Sequence, residues 1–179
     1  MEKIGEENYA LLLKRLVKQC KESEQTGGFE ATVVKDDDFI YAYSVANQRL
    51  GLQNLVVGAI SAYTPAKMIL GLLMDVTSIA VQSGKPLEDR GVFAMQWASN
   101  EKVFQCYSMR IHPSQLHLFA LGIECEKQLG LDENEYFTIV PEDAQGRKPW
   151  EPDWMSGCDS KLWEDPEADE CAPQNITLH

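Results

Sequence analysis

Positive charge is scarce in this chain. Its 179 residues hold 16 Lys and Arg against 28 Asp and Glu, with three histidines, for a formal charge of −12. Gripping phosphate backbones through net attraction takes a basic footprint, so direct nucleic-acid backbone binding is not expected. Paired cysteines are missing too. Cys20, Cys106, Cys125, Cys158 and Cys171 make an odd count without a CxxC, whereas an oxidised secreted domain more often carries an even, closely spaced set. The opening MEKIGEENYALLLKRL places acids where a secretory leader carries bases, and Lys14 and Arg15 break its apolar run. The greasiest stretch, 50–81, is interrupted by Asn54, Pro65, Lys67 and Asp75. It falls short of the roughly 20 predominantly apolar residues of a spanning helix and reads as buried core. Together these absences set the expectation of a soluble cytoplasmic protein with free thiols and no membrane contact.

Catalytic signatures are absent as well. GxGxxG, P-loop, HExxH and GxSxG patterns do not occur, so no cofactor is expected and a non-enzymatic reading leads. Cys106 sits on an expected strand, and His112, which would share its strand face, lies about 20 Å further along; a buried structural thiol is the simpler reading. Cys158, Cys171 and His179 lack paired metal-ligand spacing, so no metal site is expected.

What is present is the composition of a globular chain, 44% hydrophobic and 25% charged. From Glu6 to about Glu24, Tyr9, Leu12, Leu13, Leu16, Val17 and Cys20 recur at helical spacing, with Lys14, Arg15, Lys18 and Lys21 opposite. Thr26-Gly27-Gly28 ends that helix. The runs 29–34 and 39–46 are β-branched or aromatic around the polar Lys35-Asp36-Asp37-Asp38, which predicts a hairpin. Residues 50–63 fit either a buried helix or a third strand, since periodicity does not separate the two. Thr64-Pro65 opens a helix through capping and a preset φ; Ile69, Leu72, Leu73, Val76, Ile79 and Ala80 form its stripe, and it ends near Gly84. The runs 92–98 and 103–111 give a second hairpin through 99–102. Pro113-Ser114 then starts a helix stopped by Gly130, and 136–140 is a last strand.

The expected fold is therefore α+β: an antiparallel sheet of two hairpins packed against about three helices, in a single domain over 1–148. The two halves share an order of elements without a residue-level repeat. From Pro149 the composition changes. Residues 149–179 hold eight acids and one base, a charge of −7, with Trp150, Trp154 and Trp163 and four prolines. This is an irregular acidic arm too poor in aliphatics for a core of its own.

Two sets of residues carry the functional reading. The arm interleaves Trp150, Trp154 and Trp163 with acids such as Glu164 and Asp165, and Asp36, Asp37 and Asp38 add a second acidic cluster. Apolar anchors steered by negative charge suit docking on a basic surface, although the tryptophans also suit folding back onto the chain's own body. The first expectation is thus a small acidic binding module, such as an inhibitor, whose partner is a protein with a basic surface. The alternative rests on Arg110, His112 and His117, with Arg90 as a possible addition, where a strand end meets a helix start. That cluster would hold an anionic, nucleotide-like small molecule, for sequestration or for catalysis. Finally, the helix after Pro65 is apolar nearly all round, so a second layer must cover it: the tryptophan arm or, in a homodimer, an identical subunit.

Overall fold

The computed structural model describes residues 6–35, 39–61, 65–96, 103–154 and 163. The elements run α1 (Glu6–Glu24), β1 (Glu30–Lys35), β2 (Phe39–Val45), β3 (Asn54–Ser61), α2 (Ala66–Ser83), β4 (Gly91–Gln96), β5 (Val103–Arg110), α3 (Ala120–Gln128) and β6 (Tyr136–Pro141). Short 3-10 segments at Asn47–Leu50 and Pro113–Phe119 complete the order. The α+β class expected from the sequence is what forms.

The six strands lie in one sheet in the order β1-β2-β3-β6-β5-β4. Both expected pairings occur, β1 with β2 and β4 with β5, each antiparallel. The purely antiparallel sheet needs correction, because β3 and β6 pair in parallel at its centre. The physical reason is the connection after β3. Residues 62–90 hold α2, a span long enough to cross one face and start β4 in the direction of β3, and the antiparallel steps β4–β5 and β5–β6 then leave β6 parallel beside β3. The sheet is therefore mixed, two antiparallel runs of three strands joined through the parallel β3–β6 pairing.

Residues 50–63, open between helix and strand, contain strand β3 after the 3-10 turn at 47–50. Gly58 explains how this strand fits. It takes φ 126° beside a register shift at Ile40/Tyr41, and a Cβ there would lie 2.6 Å from the Ile40 carbonyl oxygen. The helix expected from Pro113 begins as a 3-10 segment and becomes α-helical only at Ala120. In 3-10 geometry i and i+3 align, which brings Leu116 and Phe119 to one side against the core. At the far end, Leu131 N–H donates to the Glu126 carbonyl and Gly130 N–H to Lys127, the paired bonds of a glycine-terminated helix.

Strand alternation sorts the core into two faces. Tyr41, Tyr43, Val45, Val56 and Tyr136 meet α1, α3 and Phe119 on one. Ile40, Ala42, Leu55, Val57, Phe137 and Ile139 meet Ile69, Leu73, Val76 and Ala80 of α2 on the other. Leu12 departs from the expected stripe of α1: it is exposed, and Leu13, Leu16 and Cys20 form the buried line. One helix, α2, has the length and apolarity of a membrane span by composition, while Ile69, Leu73 and Ala80 are buried against the sheet.

Candidate functional site

The arm is aimed by a loop built around one carboxylate. Asp143 is buried and accepts the N–H groups of Gln145 and Arg147 at 2.9 and 2.8 Å, while Arg147 Nε pairs with its other oxygen at 2.6 Å. A buried charge satisfied this way fixes the loop's conformation. The chain leaves it running back over β5 and β6. There Trp150, Trp154 and Trp163 pack on Tyr107, Met109 and Val140, on the sheet face that also carries α1 and α3. Trp150 meets Tyr107 edge to face at 5.1 Å, Trp154 meets Trp163 likewise at 5.7 Å, and Trp154 Nε1 donates to the Pro141 carbonyl at 3.3 Å.

A second loop closes on this arm from β4. Arg90 N–H donates to the Ser108 carbonyl at 2.7 Å, and Ser108 Oγ donates to the Glu88 carbonyl at 2.6 Å. Asp89 Oδ1 accepts the Arg110 N–H at 2.8 Å. These bonds pin the turn to β5 and hold Arg90 at φ 59°, a left-handed conformation that costs a non-glycine residue on the order of 1 kcal/mol. The result is a side chain placed for contact: the Arg90 guanidinium lies 5.4 Å from the centre of the Trp150 ring, and Lys148 Nζ lies 5.7 Å from the same centre.

Between turn and arm opens a cleft of about 370 Å³, lined by Asp89, Arg90, Met109, Arg110, Trp150 and Trp163, with Pro149 at its edge. Arg110 is already partly engaged. Its guanidinium pairs with Glu135 at 3.2 Å and stands 5.6 Å from the Phe137 ring centre. Arg90 and Lys148 are the cations that Trp150 gathers.

Of the four residues expected to bind an anion, the fold brings Arg90 and Arg110 to one cleft and keeps the two histidines out of it. The reason is local. The strand ends at Arg110, so alternation no longer applies at His112, which instead caps the 3-10 segment: its Nδ1 accepts the Ser114 N–H at 3.3 Å and lies 2.8 Å from Ser114 Oγ. His117 Nδ1 is 2.7 Å from the Ser114 carbonyl. Lys148 and the tryptophans belong with the arginines, and this was hidden because the arm reaches them only through the tertiary fold. Asp36, Asp37 and Asp38 lie outside the described residues, as do Glu164, Asp165, Cys158, Cys171 and His179. Among the described residues no group of three or more His, Cys, Asp or Glu side chains is arranged to hold a metal ion, and Cys20, Cys106 and Cys125 are buried and outside disulfides.

A second acid, Glu126, is buried between α3 and the sheet. Glu126 Oε1 accepts the Ala46 N–H at 2.8 Å and Asn54 Nδ2 at 2.7 Å, while Asn54 Oδ1 accepts the Asn47 N–H at 3.2 Å. Burial pushes the Glu126 carboxyl above its ordinary range, against the opposing pull of those two bonds. It borders a hollow of about 120 Å³ shared with Tyr136, whose buried hydroxyl has no hydrogen-bond partner among the described residues. The bonds of Glu126 explain its placement without a ligand. They hold Ala46, at φ 65°, in the left-handed turn that leads from β2 into the 3-10 segment.

No protein family matches this chain, and neither a curated protein nor a solved structure resembles it significantly.

Proposed function

We propose that this protein binds a small, ring-bearing anion of nucleotide-like chemistry in the cleft between the Arg90 turn and the Trp150 arm. The observation that carries the reading is the convergence of Arg90 and Arg110 on a tryptophan-lined cleft, with Lys148 beside the Trp150 ring, in a chain of charge −12. Such a volume falls in the range of small-ligand sites, about 300–1,000 Å³. A guanidinium offers paired donors to a phosphate or carboxylate, and an indole offers a face for a planar ring. The carboxylate that lines the cleft, Asp89, accepts the Arg110 amide through Oδ1, which favours holding or sequestering a ligand over proton transfer. The setting is a reducing cytoplasm.

Native mass spectrometry of the protein purified from cells tests this proposal. A bound small anion that is lost in Arg90→Gly supports it. That variant relieves the left-handed strain as it removes the cation, so its stability should stay within about 1 kcal/mol of the parent and binding loss is not unfolding. An empty protein that also ignores added nucleotides would overturn it.

A second reading is favoured by the charge distribution. Residues 149–179 contribute −7 of the total −12, which suits an inhibitor-like module docking on a basic protein surface. Because Trp150, Trp154 and Trp163 pack on the chain's own sheet, the acids would carry that contact. Binding to such a partner should weaken steeply with salt, as the Debye length falls from about 30 Å at 0.01 M to about 3 Å at 1 M. An affinity indifferent to salt removes this reading.

A further inference from the structure

The outer side of α2 is covered by nothing among the described residues: Met68 and Met74 are 56% and 57% exposed, and Lys67, Gly71, Asp75, Ser78 and Val81 are exposed beside them. The tryptophans are not its cover. They share their sheet face with Tyr136, whereas α2 packs on the Phe137 face. We propose that this surface docks on its own copy in a second chain, α2 lying antiparallel to α2 across a twofold axis that passes through Gly71.

The argument is self-complementarity. On a helix surface the neighbours of position i are i±3 and i±4, so Gly71 is ringed by Lys67, Met68, Met74 and Asp75. A twofold axis at residue 71 exchanges 71−k with 71+k. It therefore sets Lys67 against Asp75 twice and Met68 against Met74 twice. These are the only two charged residues of α2, and they cancel. That neutrality counts in a chain of charge −12, where any self-association must find a patch that does not repel its twin. An axis at Ser78, the next exposed small position, would face Asp75 with Val81 and Met74 with Gln82, so the complementarity belongs to Gly71. The glycine adds access. A Cβ at this position meets no atom within 4 Å, so the backbone stands clear for close approach. Methionine adapts its shape to a neighbour, which suits a contact of two pairs. By contrast, α1 exposes Leu11 and Leu12 on a helix with eight charged residues. A bilayer is a poorer occupant, since Asp75 would lie near the middle of the 18-residue helix.

Sedimentation equilibrium of the full chain at micromolar concentration reads the outcome directly. The expected mass is about 40 kDa, twice the 20.2 kDa chain. Lys67→Glu should weaken the dimer at least about tenfold, and Asp75→Lys likewise, because each sets like charges face to face twice. The combined Lys67→Glu/Asp75→Lys chain should dimerise like the parent. Gly71→Phe, which enters open space in the monomer, should leave a folded 20 kDa species by circular dichroism. A monomeric parent overturns the proposal. So does a dimer indifferent to the three single changes, or a parent that floats with phosphatidylcholine–phosphatidylglycerol vesicles through Met68 and Met74.

Discussion

The two faces of the sheet are built from different materials. Beneath α1 and α3 lie rings: Phe119 is stacked on Tyr136 at 4.9 Å, meets Tyr43 edge-on at 5.2 Å and Tyr41 at 5.8 Å. Beneath α2 the packing is mainly aliphatic, Ile40, Leu55, Val57 and Ile139 against Ile69 and Leu73 of the helix, with the Phe137 ring among them. Rings prefer particular angles, and this face also buries the Glu126–Asn54–Ala46 network, so its geometry is directional. An aliphatic face chiefly needs volume filled. The proposed binding cleft adjoins the directional face, through Met109, Trp150 and Trp163. Side chains held at fixed angles are what such a site would need.

The largest expected effect separates the faces. Phe119→Ala should cost about 3–5 kcal/mol, read from urea denaturation. More telling is a pair of shape changes. Phe119→Leu should cost clearly more than Leu73→Met, which volume alone holds below about 1.5 kcal/mol. Equal costs would break the distinction.

Gly122→Ala comes next. An added Cβ would lie 2.7 Å from the Tyr43 ring and 3.1 Å from the Tyr136 hydroxyl, so α3 would have to lift from the rings. A loss of about 1–3 kcal/mol is expected by the same denaturation.

These contrasts also mark what was legible in the sequence. Alternation and helical spacing located the two hairpins, and the α2 stripe held at Ile69, Leu73, Val76 and Ala80 because local period decides such elements. The parallel β3–β6 pair was not legible, since residues 54–56 and 136–138 meet only after α2 and the β4–β5 pair have been laid down between them in sequence. The cleft was half legible. Arg90 and Arg110 stood out as cations in an acidic chain, whereas His112 looked like a strand residue and is a cap. Trp150 showed its composition but not its place, which depends on the Asp143 loop.

A pH effect sharpens the account of the directional face. Because burial raises the Glu126 carboxyl, the native state keeps a proton there that the unfolded chain has released. This contribution to stability is complete below the ordinary glutamate range and is lost as pH rises through the raised native value. Glu126→Gln keeps an acceptor for Ala46 and Asn54 and removes the titration. Relative to the parent it should gain stability as pH climbs from about 4 toward 8. A difference constant over that range contradicts the assignment. Glu126→Ala, which strands both donors, should lose about 1–3 kcal/mol for each.

The smallest effect has the opposite sign. Gly71→Ala meets no neighbour within its own chain, and at a dilution where any α2–α2 contact has dissociated alanine suits the helix better by about 0.8–1 kcal/mol. Thermal melts of Gly71→Ala and Gly122→Ala should therefore move in opposite directions.

The cleft itself is tested most directly by calorimetric titration with adenosine monophosphate and, in parallel, with uncharged adenosine. The account predicts that the monophosphate binds, that the nucleoside binds at least about tenfold more weakly, and that Arg90→Gly and Trp150→Ala each abolish the heat. Equal binding of the two ligands, or monophosphate binding untouched by both substitutions, would contradict it.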